Sequence, residues 1–420
     1  MKQKRRITFQ SKESLAIQAQ NALEQWHASQ SVPKNGKEKF QVLDFFCGCG
    51  GMSLGFAALG LITDSFRVVG GCDMDKESAE TFAHNFGVQA LCEDVRSLVD
   101  KAALSRFLSR LTTYDNKKPL IVIGCAPCQG FTSHRKKRWD LEDERNTLIE
   151  SFAKIAVKLN PACVIMENVP EMLSHKYWNH FKAAQRTLLR AGYIVHQTIY
   201  NAASFGVPQD RFRSLVIAMR EHFSLPEPLL DQPKIFTVRT AIGHLPPVTP
   251  GEAHKDDPMH RSASHRESTL QTIRAVPKNG GSRPFGIGPK CLDRIKGFSD
   301  VYGRLNWDQP AITITHYARN PASGRYVHPE QDRGLTIREA ALLQSFPAGF
   351  DFVGSFDSIF RQIGEAVPPK FACAVAASVF VDLTTPNIHQ SLKGVRSITE
   401  PVSSSFSSVI AGLKMERRRK

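Results

Sequence analysis

The sequence predicts an α/β fold: a doubly wound, mostly parallel sheet with helices on both faces, interrupted by a smaller irregular domain. Three observations carry this. Between residues 41 and 220, short β-branched or apolar runs alternate with amphipathic stretches of helical length, the pattern of a parallel sheet built through helical crossovers. Beyond Arg220 that rhythm is lost, and Pro226, Pro228, Pro246, Pro247, Gly280 and Gly281 punctuate the chain. Helical order then returns at Thr336-Ile337-Arg338-Glu339, a capping-box sequence with Thr at the N-cap and Glu three residues on.

Taken in order, residues 12–29 place Leu15, Ala19, Leu23 and Trp26 at helical spacing inside a basic leading arm, 1–36. Strands are expected at 42–46, 67–73, 91–95, 120–124, 162–168, 193–199 and 214–219, with helices at 79–86, 146–159 and 181–191 among those between them. These form a first domain, 37–220, which 333–385 completes. The apolar stretch 371–383 packs back as a helix, and 221–332 is the insertion. A Ser-rich segment, 403–408, leads into the basic end of a tail, 386–420.

Composition bounds the partners. The chain has 420 residues, 41% hydrophobic content, and a net charge of +15. No signal-like apolar block follows the N-terminus, no apolar run approaches a bilayer span, and an odd nine cysteines suit a reducing compartment, so a cytoplasmic protein without membrane partners is expected. Residues 1–40 carry eight Lys/Arg against three acids, 411–420 five against one, and 258–298 eight against two. A further cluster, Arg135-Lys136-Lys137-Arg138, follows a cysteine-containing turn. Charge on tails mostly solvates, whereas cations beside a reactive group point to a phosphate-bearing substrate.

That turn is Gly124-Cys125-Ala126-Pro127-Cys128-Gln129, leaving the fourth strand at the sheet's carboxyl edge, where open α/β sheets place their chemistry. Cys128 on this stiff backbone could act as a nucleophile through its thiolate. From spacing alone a buried structural thiol, or a redox or metal pair with Cys125, stays equally open, although no further ligands follow at zinc-site spacing. The first strand ends in Phe46-Cys47-Gly48-Cys49-Gly50-Gly51-Met52-Ser53. Ser53 stands where a dinucleotide fingerprint needs glycine, so the turn suits an adenosine without a pyrophosphate. Asp73, at the next strand's end, can hold ribose hydroxyls, and Asp94 can accept from an adenine amine; each alone reads as a helix N-cap. Glu167-Asn168-Val169 closes the fifth strand with an acid whose desolvation raises its pKa. Gln209-Asp210-Arg211-Phe212-Arg213 sets two arginines on one face of an extended segment, suited to an anion or a carbonyl oxygen.

Together these motifs resemble the DNA (cytosine-5)-methyltransferases of bacterial type over about 41–375. The resemblance implies an adenosylmethionine-dependent methyltransferase sheet holding S-adenosyl-L-methionine with Phe46, Gly48, Gly50, Gly51, Asp73, Met74, Asp94, Pro127, Glu365 and Val367. It implies Cys128 as nucleophile, Glu167 as acid, and Arg211 with Arg213 as the paired arginines, Arg211 at the cytosine's exocyclic oxygen. Two departures, Glu365 where the family commonly has Asn and Met74 where an aromatic often stacks, bear on cofactor affinity. The implied partner is double-stranded DNA, bound by a monomer, with no metal and with any cognate restriction endonuclease acting separately. The bacterial nucleoid is the implied setting. DNA contacts are expected from Gln129, Thr132, Ser133, Arg135 and Arg145 beside the cysteine, and from Arg261, Arg266, Arg274 and Arg283 in the insertion. The same core occurs in tRNA cytosine methyltransferases, but a basic insertion of this size favours a duplex reader. A catalytically silent, cofactor-binding regulator is opposed by Cys128, Glu167 and Arg211 all being present. Neither composition nor spacing identifies the target sequence.

Overall fold

The computed structural model describes residues 11–27, 38–127, 147–230, 235–294, 300–385 and 395–403. The first stretch forms α1 (Lys12–Glu24). Strand and helix then alternate: β1 (Phe40–Phe45), α2 (Gly51–Thr63), β2 (Phe66–Asp73), α3 (Lys76–Phe86), β3 (Ala90–Cys92), α4 (Lys101–Ser109), β4 (Leu120–Gly124), α5 (Leu148–Leu159), β5 (Cys163–Asn168), α6 (Trp178–Arg190), β6 (Ile194–Asn201) and β7 (Phe212–Met219). The sheet order is β3-β2-β1-β4-β5-β7-β6. β7 is inserted antiparallel between β5 and β6, while β1, β2, β3, β4 and β5 pair in parallel. Strand order reverses between β1 and β4, which opens a crevice at their carboxyl ends.

Alternation along the central strands supplies both faces. Val42, Ile121, Ile123, Ile165, Leu215 and Ile217 join the core under α2 and α11. Leu43, Phe45, Val122, Val164, Met166 and Val216 join the core under α4, α5 and α6. Both faces being covered explains why these strands read as near-continuous apolar runs. The third strand is shorter than expected, because Asp94 caps a 3-10 turn at Val95–Val99.

The inserted region holds little regular structure: α7 (Val238–Ile242), a two-stranded ribbon of β8 (Ala253–His254) and β9 (Asp257–Arg261), and α8 (Glu267–Arg274). Its own apolar cluster consists of Ile273, Val276, Val301, Tyr302 and Val327. A buried cation reinforces this small core. The Arg304 guanidinium, fully buried, donates to the carbonyls of Ile273, Val276, His328 and Gln331 and pairs with Asp332. α9 (Ile337–Leu343) starts with the capping box read from the sequence: Thr336 N donates to Glu339 Oε2 at 2.8 Å, and Glu339 N to Thr336 Oγ1 at 3.0 Å. α10 (Phe356–Glu365) and α11 (Pro369–Thr384) follow. By length and composition Phe356–Thr384 passes for a membrane span, against the expectation that no run would. Its most apolar window is 78% buried in the core, with Pro368 between its two helices and Pro369 opening the second.

The described parts of the leading arm and of the tail, 11–27 and 395–403, pack on the sheet domain. α1 lies on α2 and α11 and buries Leu15, Ala16, Ala19 and Leu23, with Trp26 just beyond. Lys12 Nζ reaches Asp382 Oδ2 at 2.7 Å and Ser224 Oγ at 2.7 Å. Near the other end, Ile398 N donates to Gln197 O, and Val402 N to Leu173 O, so residues 395–403 cover part of edge strand β6.

Candidate active site

Four strand ends converge on the crevice. β1 turns sharply after Phe45: Phe46, Gly48 and Gly50 all have positive φ, at 57°, 50° and 98°. Gly51 opens α2 so close to Val367 that a Cβ there would lie 2.1 Å from the Val367 carbonyl oxygen. The closing stretch around Glu365 is thereby held against the glycine turn. Asp73 organises the opposite wall, its Oδ2 accepting from Gly48 N and its Oδ1 from Asp75 N, each at 2.8 Å. Burial pushes the Asp73 carboxyl up while those two amides oppose it. Each carboxylate oxygen keeps a further acceptor site that a ribose hydroxyl pair can use. Met74 stands 66% exposed beside it, and Phe46 is half-buried across the turn. Asp94 behaves as the N-cap its position also suggested: it accepts from Arg96 N at 2.9 Å and pairs with the Arg96 guanidinium. Those bonds hold its carboxyl below the usual range despite partial burial. Close backbone, a paired acceptor and exposed apolar side chains are the groups a nucleoside-containing donor uses.

Asp44 escaped notice in the sequence. It is buried beneath α2, and its Oδ2 accepts from Ser53 Oγ at 2.6 Å. Burial raises its carboxyl to about 7, with the Ser53 bond opposing. The serine that displaced a fingerprint glycine thus serves this acid.

The second wall is built by β4, β5 and β7. Pro127 is exposed at the end of β4; Cys128 and Gln129 lie outside the described residues, as do Thr132, Ser133, Arg135 and Arg145. Asn168 Nδ2 donates to Ala126 O at 3.0 Å, tying the acid strand to the turn that leads into Cys128. Glu167 is buried with its Oε1 3.0 Å from Arg213 Nε, yet that oxygen receives no directed hydrogen bond from the described residues. Burial raises the Glu167 carboxyl, and the charges of Arg213 and Arg211 act against it. A buried acid with an open hydrogen-bonding position beside a cation is equipped to receive a polar heterocycle.

The two arginines part company. Arg213 is the one on Glu167. The Arg211 guanidinium, 1% exposed, donates instead to Ile314 O, Gly364 O and Ala366 O, each at 2.9 Å. Gln209 extends the same buried latch, accepting from Ile314 N and donating to Gln344 Oε1, while Gln344 Nε2 donates to Ala366 O. The expectation of Arg211 at a substrate oxygen is therefore corrected: both its terminal nitrogens are bonded to backbone carbonyls. Gln209 and Gln344 were missed as its companions; only the Gln at the head of the arginine motif gave a signal.

Among the insertion's expected DNA contacts, Arg266 is exposed, Arg261 lies over the Phe356 ring at 5.3 Å, and Arg274 pairs with Glu267 in an exposed bridge. Arg283 differs. It is pinned to Asp293 at 2.8 Å with both side chains largely buried, which makes it a loop clamp rather than a free cation.

Sheet order and strand-end chemistry together are those of an α/β group-transfer enzyme with its chemistry at the carboxyl edge of the sheet. The model for C-5 cytosine-specific DNA methylases matches residues 40–380, and the chain belongs to that family: it is a DNA (cytosine-5-)-methyltransferase of bacterial type. It is 32% identical over 354 residues to the type II methylase M.HgiDII of Herpetosiphon aurantiacus, covering 80% of this chain and 94% of that one. It is 34% identical over 341 residues to the type II methyltransferase M1.HphI of Haemophilus parahaemolyticus, covering 80% and 86%. Among solved structures, a putative prophage-encoded DNA modification methyltransferase from E. coli superposes with a TM-score of 0.64 at 22% identity, over 82% of this chain and 99% of that one. The S. pombe Dnmt2 methyltransferase does so at 0.54 and 16%, over the same shares. At those identities the superpositions speak for the fold alone.

Proposed function

We propose that this enzyme methylates carbon 5 of a cytosine turned out of a specific double-stranded DNA sequence, through a transient bond from Cys128 to carbon 6. Bound S-adenosyl-L-methionine supplies an electrophilic sulfonium methyl at the wall formed by Phe46, Gly48, Gly50, Gly51, Asp73, Met74, Asp94, Pro127, Glu365 and Val367. Carbon 5 of cytosine is a weak nucleophile, so sulfur addition at carbon 6 has to enrich it first. Glu167, whose carboxyl burial raises above the ordinary range, donates its proton to ring nitrogen 3 and takes up, as carboxylate, the charge that addition creates. Arg213, already on Glu167, takes the exocyclic oxygen. The carbon 5 proton then passes to solvent, the ring double bond re-forms, the cysteine sulfur leaves as thiolate, and ring nitrogen 3 returns its proton to Glu167.

The observation that carries this reading is the buried Glu167–Arg213 pair tied through Asn168 to the turn before Cys128. A stacked base offers neither face to a thiol, so extrusion is required, at a cost of about a few kcal/mol that protein contacts offset. The acting form is a monomer on DNA, with 221–332 reading the sequence and any partner endonuclease separate. Bisulfite sequencing of plasmid from cells expressing the protein tests this: protected cytosines in one short sequence context are expected, and none on DNA alongside methylation of tRNA would overturn it.

A further inference from the structure

Among the described residues large aromatic side chains are mostly buried, and Phe285 is the plainest exception at 85% exposure. It sits at the tip of Ser282-Arg283-Pro284-Phe285-Gly286-Ile287-Gly288-Pro289. The loop is built to hold it out. Arg283 Nη1 donates to both Pro284 O and Ile287 O, its Nη2 is fixed by Asp293 at 2.8 Å, and Gly286 and Gly288 take φ of 79° and 78°. A cavity of about 430 Å³ lined by Thr272, Ala275, Gly286, Ile287 and Tyr302 opens under the loop, and the Phe285 ring does not fill it. Near it in the chain, Lys278, Lys290 and Arg294 are exposed, and no ion pair among the described residues engages them. The acids of 261–294, Glu267 and Asp293, are already paired to Arg274 and Arg283. An apolar ring on a stiff loop, in a stretch of chain carrying exposed cations without ion-pair partners among the described residues, has the chemistry of a side chain that enters a base stack while its neighbours hold phosphates.

We propose that Phe285 inserts between base pairs of the bound duplex and helps open the stack from which the target cytosine leaves. This rests on the reading that the enzyme acts on duplex DNA, and the test separates the two. Wild-type protein, Phe285→Ala and Phe285→Trp are assayed for methyl transfer to a duplex carrying the target mapped by bisulfite sequencing. A second duplex has the target cytosine mispaired, so that opening is already done. Phe285→Ala is expected to slow transfer to the paired duplex about tenfold, within the range of a lost base–aromatic stack. Phe285→Trp stays near wild type, the mispaired duplex restores Phe285→Ala to within about threefold, and adenosylmethionine binding and melting temperature do not change. Wild-type rates for Phe285→Ala on the paired duplex, or an equal deficit on both duplexes, would overturn the insertion. Wild-type protein inactive on any duplex would instead overturn the parent reading.

Discussion

Arg211→Met separates a latch from a catalytic residue. Arg211 makes three 2.9 Å bonds to carbonyls of Ile314, Gly364 and Ala366, joining the inserted region to the stretch that closes the cofactor wall. A charge-assisted hydrogen bond contributes about 1.5–3 kcal/mol net, but burying the guanidinium has its own cost, and carbonyls tolerate the loss of a donor better than amides do. Deleting one member of a buried charged network costs about 3–5 kcal/mol, and Arg211→Met belongs at or slightly below that range. Urea denaturation of the full chain measures it, with equilibrium binding of adenosylmethionine alongside. The expected result is a large fall in stability together with weakened cofactor binding, and partial recovery of both in Arg211→Lys, which reaches fewer carbonyls. Stability within about 1 kcal/mol of wild type, with cofactor binding intact and methyl transfer abolished, would refute the latch and return Arg211 to the chemistry.

Cys128→Ala is expected to abolish methyl transfer while leaving duplex binding near wild type, as read by tritiated methyl incorporation and by gel shift. For the acid, rising pH removes the Glu167 proton and closes the alkaline limb of kcat. Arg213→Gln removes a cation that opposes the raised carboxyl, so at reduced kcat that limb moves to higher pH; a limb that stays or moves down contradicts the pairing. Glu339 is a stability switch of opposite sign. Burial pushes its carboxyl up, but Arg333, at 2.7 and 2.8 Å, with His328 and the Thr336 amide, prevails and holds it at about 2. Its stabilisation is complete above the unfolded value, is lost as pH falls from there toward 2, and is on the order of 3 kcal/mol. Glu339→Gln therefore unfolds at lower urea at pH 7, and the gap to wild type narrows through pH 4 to 3.

The sheet was legible because both its faces are covered, so each central strand announced itself as an apolar run and each strand end as a polar stop. Glu167 and Asp73 could be found that way. Arg211 was misplaced for a physical reason: the two-residue period that aligns it with Arg213 holds only inside a strand, and β7 begins at Phe212. Upstream of that point Gln209 and Asp210 pair with the segment at Ala311, and the chain turns Arg211 inward. Net charge misled in the same region, since a sum counts Arg283, Arg304 and Arg333 as if each faced solvent. All three are drawn into the interior by acids or carbonyls scattered along the chain. Asp44 stayed hidden because nothing in a list of residues shows that a serine nine positions on folds back over it.

The docking of α1 matters to anyone who trims the front of this protein to where its family match begins. A cut at residue 40 would strip an outer wall from α2 and α11, and Ser378 and Asp382 would face water in place of Lys12. The shortened product would carry every motif needed for turnover and would be sticky, prone to clump through the newly bared helices. Failure of such a fragment in the test tube would then report on the missing lid and not on its chemistry.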